Sequence, residues 1–127
     1  MRRMVLGLNA AVAAASAAAA VVGVLHPTLV LPAGIEPTAG LRMYAQAYAV
    51  RAVPLAAALV YLLRGERSAL VPVLAVAGVA QLGDVYIGLD QGIAGMAVGG
   101  TLSAGVHLTS AWWLARRPGT RVLKGLA

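Results

Sequence analysis

Four long apolar runs limit what this chain can fold into more than any other feature of its sequence. They cover residues 4–25, 41–63, 69–89 and 93–115, and each is close to the roughly 20 residues that an α-helix needs to cross a bilayer. Of the 127 residues, 61% are hydrophobic and 11% are charged, whereas a soluble domain usually carries about 25% charged residues. The sequence therefore predicts an all-α fold, a single membrane domain over residues 1–127 in which four transmembrane helices form a bundle.

The first run also fits a second interpretation, that of a cleaved signal peptide. A short basic start, Met1-Arg2-Arg3, precedes Ala-rich sequence, as it does in many secretory signals. The uncharged stretch continues to Leu25, however, and is longer than the usual signal core of about 7–15 residues. This length favours a retained transmembrane span.

The charged residues of the chain indicate an orientation. The formal net charge is +6, and most cations flank the apolar runs instead of forming a nucleic-acid-binding patch. The connections on the other side carry Glu36 and Asp90. The positive-inside rule then predicts a multi-pass protein of the cell (inner) membrane with both termini cytoplasmic. The flanking cations are Arg2, Arg3, Arg64, Arg67, Arg116, Arg117, Arg121 and Lys124.

Arg51 and Asp84 are the formal charges that lie well inside the runs. Counted from the predicted cytoplasmic ends at about 1.5 Å per residue, they lie roughly 20 and 24 Å into the bilayer. A charge near mid-membrane costs about 2.5–3.5 kcal/mol on insertion scales, so it normally faces the bundle interior and has a partner. The opposite signs and similar depths predict an intramembrane Arg51–Asp84 ion pair between spans two and three.

Further polar residues share helix faces with this predicted pair. Tyr44 and Tyr48 precede Arg51 by seven and three residues, and Gln81 precedes Asp84 by three, so each set lies on one side of its helix. Span four carries a stripe at intervals of four residues, and span one is expected to be a supporting wall. That stripe is Gly95, Gly99, Ser103 and His107. The candidate catalytic residues are Asp84, Arg51, Tyr48 and His107; the candidate substrate-binding residues are Tyr44, Gln81, Ser103 and Gly99.

Each of these features also has a purely structural interpretation. An Arg51–Asp84 pair can simply hold two helices together, and small residues such as Gly95 and Gly99 at intervals of four most often mark close helix packing. His107 has no second histidine at helical spacing, and the chain has no cysteine. Neither a metal site nor a cofactor is therefore expected.

The segments Ala49-Val50-Arg51-Ala52 and Gln81-Leu82-Gly83-Asp84, with a histidine in span four, resemble a pattern of small bacterial four-helix membrane proteins of uncharacterised function. The resemblance covers roughly residues 44–115. It implies a four-helix fold with a shared polar site and leaves the activity open. The chain also has the size of small multidrug-resistance transporters, but span one carries Asn9 where their pattern has a membrane-embedded glutamate.

Acid–base groups that converge in an apolar bundle favour a site that binds a lipophilic small molecule. Such a site could also transform the molecule by isomerisation, cyclisation or epoxide opening. Two alternatives stay open at this point. One is a small homodimeric proton-coupled transporter with the Gly95/Gly99 face at its subunit contact, and the other is an accessory membrane subunit without chemistry. The expected partners are the lipid bilayer and a lipophilic ligand, with a homodimer in the transporter alternative and no nucleic acid.

Overall fold

The computed structural model describes residues 2–64 and 67–116, and within these ranges the regular structure is helical. The prediction of an all-α chain with four long helices is confirmed. The predicted cytoplasmic cations Arg117, Arg121 and Lys124 and the centre of the connection between spans two and three lie outside the described residues. The helices are α1 (Arg2–Leu25), α2 (Ala39–Leu62), α3 (Arg67–Asp90) and α4 (Ala94–Ala115), with a short 3₁₀ helix at Pro27–Leu29.

Local sequence signals set two of the helix ends. Thr38 caps α2, because its hydroxyl oxygen accepts a hydrogen bond from the Leu41 amide at 3.2 Å. After α3 the chain turns at Gly92, whose φ of 67° is the left-handed conformation that favours glycine. The amide of Ile93 then donates to the Gly88 carbonyl at 2.8 Å, which closes the helix end and allows α4 to begin almost at once. α3 and α4 therefore form a tight antiparallel hairpin.

Three of the helices have segments long and apolar enough to cross a membrane, namely Arg3–Leu25, Ala39–Leu62 and Ala69–Asp90. α4 has a similar length, but its glycine, serine, threonine and histidine residues lower its hydropathy. The same helix has more buried positions than any other described helix, and they include Ser103, His107 and Ser110. Ser103, His107 and Ser110 therefore face protein, whereas Thr101 and Thr109 are exposed. Together these polar residues explain why hydropathy alone marks α4 weakly.

Glycines set the distance between α3 and α4, which pack closely along their length. A Cβ atom at Gly88 would lie 2.5 Å from the Ala97 backbone nitrogen, and one at Gly100 would lie 2.9 Å from the Gln81 carbonyl oxygen. Gly95 and Gly99, by contrast, have open space where their Cβ atoms would be. The glycines of the predicted small-residue stripe thus lie outside this helix contact.

The four helices form two hairpins that meet unevenly. α1 packs against α2 as α4 packs against α3, whereas the contacts between the hairpins, α1 with α4 and α2 with α3, are both sparse. Leucines from the end of α2, the start of α3 and the end of α4 form a core with Ala13 of α1, and this core closes one end of the bundle. A cavity lies between the hairpins beyond this core. The core leucines are Leu59, Leu63, Leu70, Leu74 and Leu114.

Replacing Gly88 or Gly100 by alanine is expected to lower the free energy of unfolding by about 1–3 kcal/mol, because the new methyl group meets backbone atoms that cannot move independently. The matched control is Gly99→Ala on α4, where the methyl group enters open space and no loss is expected. Titration of the purified protein in mixed micelles with a denaturing detergent measures the difference. Equal losses in all three variants would contradict this helix packing.

Candidate functional site

A cavity of about 340 Å³ lies between the two hairpins, and all four helices contribute to its wall. Most of the lining is alanine, leucine, glycine and isoleucine, including Ala52 and Leu55 of α2. A minority of polar side chains interrupts this apolar surface. They are Ser16, Tyr48, Arg51, Gln81, Asp84 and His107. Five of the eight candidate residues from the sequence thus line one cavity: Tyr48, Arg51, Gln81, Asp84 and His107.

A hydrogen bond between Tyr48 and Asp84 crosses from α2 to α3 on this wall. The Tyr48 hydroxyl donates to the Asp84 Oδ2 atom at 2.9 Å, and both side chains are partly buried. Hydrogen bonds to a carboxylate are shorter and stronger than those between neutral groups. The Asp84 carboxylate therefore has a local partner while it still faces the cavity.

The predicted ion pair between Arg51 and Asp84 is wrong. Within residues 2–64 and 67–116 no ion pair joins these two side chains. Arg51 is exposed, and its Nε–H donates to the Ala47 carbonyl of its own helix at 3.0 Å. Tyr48, one turn earlier on α2, is the residue that bonds to Asp84. Arg51 lines the same cavity without forming an ion pair with Asp84. The estimated depths in the bilayer put Arg51 and Asp84 at a similar level. Depth alone does not decide which side chain of α2 contacts Asp84.

α1 contributes more than a supporting wall, which corrects the prediction for span one. The Gln81 side-chain amide of α3 donates to the Ser16 hydroxyl of α1 at 3.3 Å, across the cavity wall. This contact lies one helical turn along α3 from Asp84. The two bonds therefore connect α3 to both helices of the other hairpin.

The deepest polar contact of the bundle joins α1 to α4. Asn9 is fully buried, with 0% of its surface exposed, and His107 is 2% exposed. The Asn9 amide nitrogen lies 2.8 Å from the Val5 carbonyl oxygen and 2.7 Å from the Ser110 hydroxyl, and its oxygen lies 2.8 Å from His107 Nδ1. The sequence did contain a signal for this network, because a polar residue alone in an apolar span needs a partner.

The remaining candidate residues lie away from the cavity. Tyr44 is 70% exposed at the start of α2, and Gly99 lies on the exposed side of α4. Ser103 is buried but is not part of the cavity wall. Across the described ranges, no group of three or more histidine, cysteine, aspartate or glutamate residues is placed to hold a metal ion.

A tyrosine and a carboxylate in hydrogen-bond contact can exchange and transfer protons, and they face a mostly apolar cavity. His107 adds a third titratable group to the same wall. The arrangement thus offers proton transfer to a lipophilic molecule. Among the lining residues, the serine Ser16 is bonded to Gln81 and the histidine His107 to Asn9, so no serine is paired with a histidine that would act as its base.

A double-mutant cycle distinguishes the observed contact from the one predicted earlier. The coupling between Tyr48→Phe and Asp84→Leu is expected to be about 1 kcal/mol in the free energy of unfolding, because each change removes the same hydrogen bond. The coupling between Arg51→Met and Asp84→Leu, measured in the same micelles, should be close to zero. A larger coupling for Arg51 than for Tyr48 would overturn this assignment.

Comparisons of the chain with protein-family models, with characterised proteins and with solved structures found no match. The resemblance to small bacterial four-helix membrane proteins therefore stays a prediction. Any statement about function has to come from the geometry of the cavity and its polar residues.

Proposed function

We propose that this protein binds a lipophilic small molecule in the cavity between its hairpins and transforms it by acid–base chemistry. The observation that carries the proposal is the Tyr48–Asp84 hydrogen bond on the wall of an otherwise apolar cavity. A carboxylate that only fastened two helices would be expected to lie inside a closely packed contact. Here α2 and α3 contact each other little, and the carboxylate faces open space.

The size and lining of the cavity support a lipophilic ligand. Ligand sites usually have volumes of about 300–1,000 Å³ and apolar walls with a few placed polar groups, and a cavity of about 340 Å³ lies within this range. The cavity is only partly enclosed by the helices, so it is accessible from outside the bundle. A molecule dissolved in the bilayer can then enter without crossing water.

The groups on the wall support an isomerisation, a cyclisation or an epoxide opening. An isomerisation requires one proton to be taken from the substrate and one to be returned at another atom, so it needs no co-substrate. Asp84 is the base or acid of this exchange, and Tyr48 is the hydrogen-bond donor beside it. In this proposal Arg51, which lines the cavity and whose terminal guanidinium nitrogens have no partner among the described residues, stabilises a developing anion.

We also propose that α4 crosses the membrane together with the other three helices and that both termini are cytoplasmic. α4 is long enough for a crossing, and its residues Ser103, His107 and Ser110 are covered by protein. At its end Trp112 stacks with Arg116, whose guanidinium carbon lies 4.0 Å from the ring centre, as expected for residues at a membrane interface. These features support a four-span protein of the cell membrane.

Because the chain has no cysteine, single cysteines can report its topology. Gln91→Cys, in the exposed turn between α3 and α4, should react with a membrane-impermeant maleimide added to intact cells. Ala115→Cys, exposed at the end of α4, should react only after the membrane is permeabilised. Labelling of both positions from the same side would mean that α4 does not cross.

Filling the cavity should weaken ligand binding. Farnesol, a lipophilic alcohol, is the probe, and native mass spectrometry of the protein in mild detergent measures its adduct. Ala52→Phe on the cavity wall is expected to weaken farnesol binding by about tenfold or more, because the ring occupies the space the ligand needs. Ala58→Phe is the matched control on α2, at an exposed position outside the cavity.

The chemistry is tested separately with a panel of monoterpene and sesquiterpene polyenes and epoxides in D₂O. Deuterium incorporation or epoxide opening is expected with the parent chain and should fall by at least about a hundredfold in Asp84→Asn. If the chain binds farnesol but transforms no member of the panel, the acid–base part of the proposal fails. If Ala52→Phe binds farnesol as well as Ala58→Phe does, the cavity is not the binding site.

A further inference from the structure

The Asn9 side chain has one orientation that satisfies its surroundings. One of its two terminal atoms lies 2.8 Å from the Val5 carbonyl oxygen, which can only accept a hydrogen bond. That terminal atom must therefore be the amide nitrogen, since an oxygen there would face another acceptor. The same nitrogen uses its second hydrogen toward the Ser110 hydroxyl at 2.7 Å. The Asn9 oxygen then points to His107.

This orientation decides which ring nitrogen of His107 carries the proton in the neutral imidazole. The Asn9 oxygen lies 2.8 Å from His107 Nδ1 and is an acceptor only. Nδ1 must therefore carry the hydrogen and donate it. In the neutral ring the other nitrogen, Nε2, then has no hydrogen and offers a lone pair.

The Nε2 atom reaches the cavity. In the part of the chain that the structure describes, every fully buried side-chain nitrogen or oxygen has a hydrogen-bond partner. His107 Nε2 has no partner among the described residues, so it is not fully enclosed by protein. Only 2% of the residue is exposed, and the residue forms part of the cavity wall. The cavity is therefore the space onto which the lone pair opens.

We infer that Asn9 is a positioning residue that fixes His107 as a hydrogen-bond acceptor in the cavity, so that the ligand is one that donates a hydrogen bond there. The ligand part of this inference rests on the function proposed above. A hydroxyl group on a lipophilic skeleton, as in a terpenoid alcohol or a phenol, supplies such a donor. An ether or ester of the same skeleton does not.

The second acceptor of the cavity, Asp84, sets the length of this ligand. Gly78 of α3 lies against Leu108 of α4, which places His107 at nearly the level of Gly78. Asp84 is six residues further along α3, or roughly 9 Å at a rise of about 1.5 Å per residue. The two polar positions are therefore separated along the bundle axis, and an elongated molecule fits them better than a compact one.

Nitrogen NMR of the histidine rings tests the tautomer without any ligand. The chain has two histidines, so His26→Gln leaves a single ring to observe. At a pH of about 8, where an ordinary imidazole is neutral, long-range ¹H–¹⁵N spectra should show His107 with a protonated Nδ1 and a bare Nε2. Asn9→Leu should shift the ring toward the Nε2–H form, and Ser110→Ala, which keeps the Asn9–His107 bond, should not.

If the spectra of the His26→Gln variant show His107 protonated at Nε2, the inference is overturned. This measurement needs no second substitution, so it holds even if Asn9→Leu fails to fold. The ligand class is tested by comparing farnesol with its methyl ether by native mass spectrometry. Farnesol should bind about five- to tenfold more tightly, and His107→Phe should remove this preference. If farnesol and its methyl ether bind equally well, only the requirement for a hydrogen-bond donor is contradicted. If neither compound binds, the proposed function fails, and the tautomer result is unaffected.

Discussion

The buried amide of Asn9 is the contact on which the arrangement of the two hairpins depends. A polar group inside an apolar bundle costs several kcal/mol if it is left without partners, so α1 must sit where both ends of this amide are satisfied. That place lies against His107 and Ser110, one turn apart on α4. The rotation of α1 about its axis is fixed by this requirement, and Ser16, seven residues further along the same face, then meets Gln81.

Polar bonds at three levels connect the hairpins, and each links a different pair of helices. The Asn9 network joins α1 to α4, the Gln81–Ser16 bond joins α1 to α3, and the Tyr48–Asp84 bond joins α2 to α3. Side-chain hydrogen bonds inside membrane proteins contribute on average about 0.6 kcal/mol each. They are thus weak individually, but they are directional, and they hold the hairpins in register beyond the leucine core that α2 and α3 share. The cavity lies where these few polar bonds, and not continuous apolar packing, connect the two hairpins.

Much of this fold could be predicted from the sequence because apolar runs of membrane length have few other solutions. Depth along the axis could be predicted too, and it placed Arg51 and Asp84 within about one helical turn of each other. The contacts around the axis could not, since Tyr48 and Arg51 share a face of α2 and either could reach Asp84 in a sequence-based argument. The same uncertainty affected the glycines of α4, where Gly100 meets α3 and Gly99 faces outward. The role of Asn9 could not be predicted because its partners, Ser110 and His107, lie about a hundred residues away in the chain.

Photo-crosslinking in native membranes tests most directly whether the cavity holds a lipophilic molecule. Benzoylphenylalanine is placed at Leu55, on the cavity wall, or at Val50, on the exposed side of the same helix. Mass spectrometry after irradiation should find a discrete hydroxyl-bearing lipophilic adduct at Leu55 that added farnesol displaces, and only phospholipid adducts at Val50. The same phospholipid adducts at both positions, unaffected by farnesol, would show that the space between the hairpins belongs to the bilayer and would contradict a ligand site.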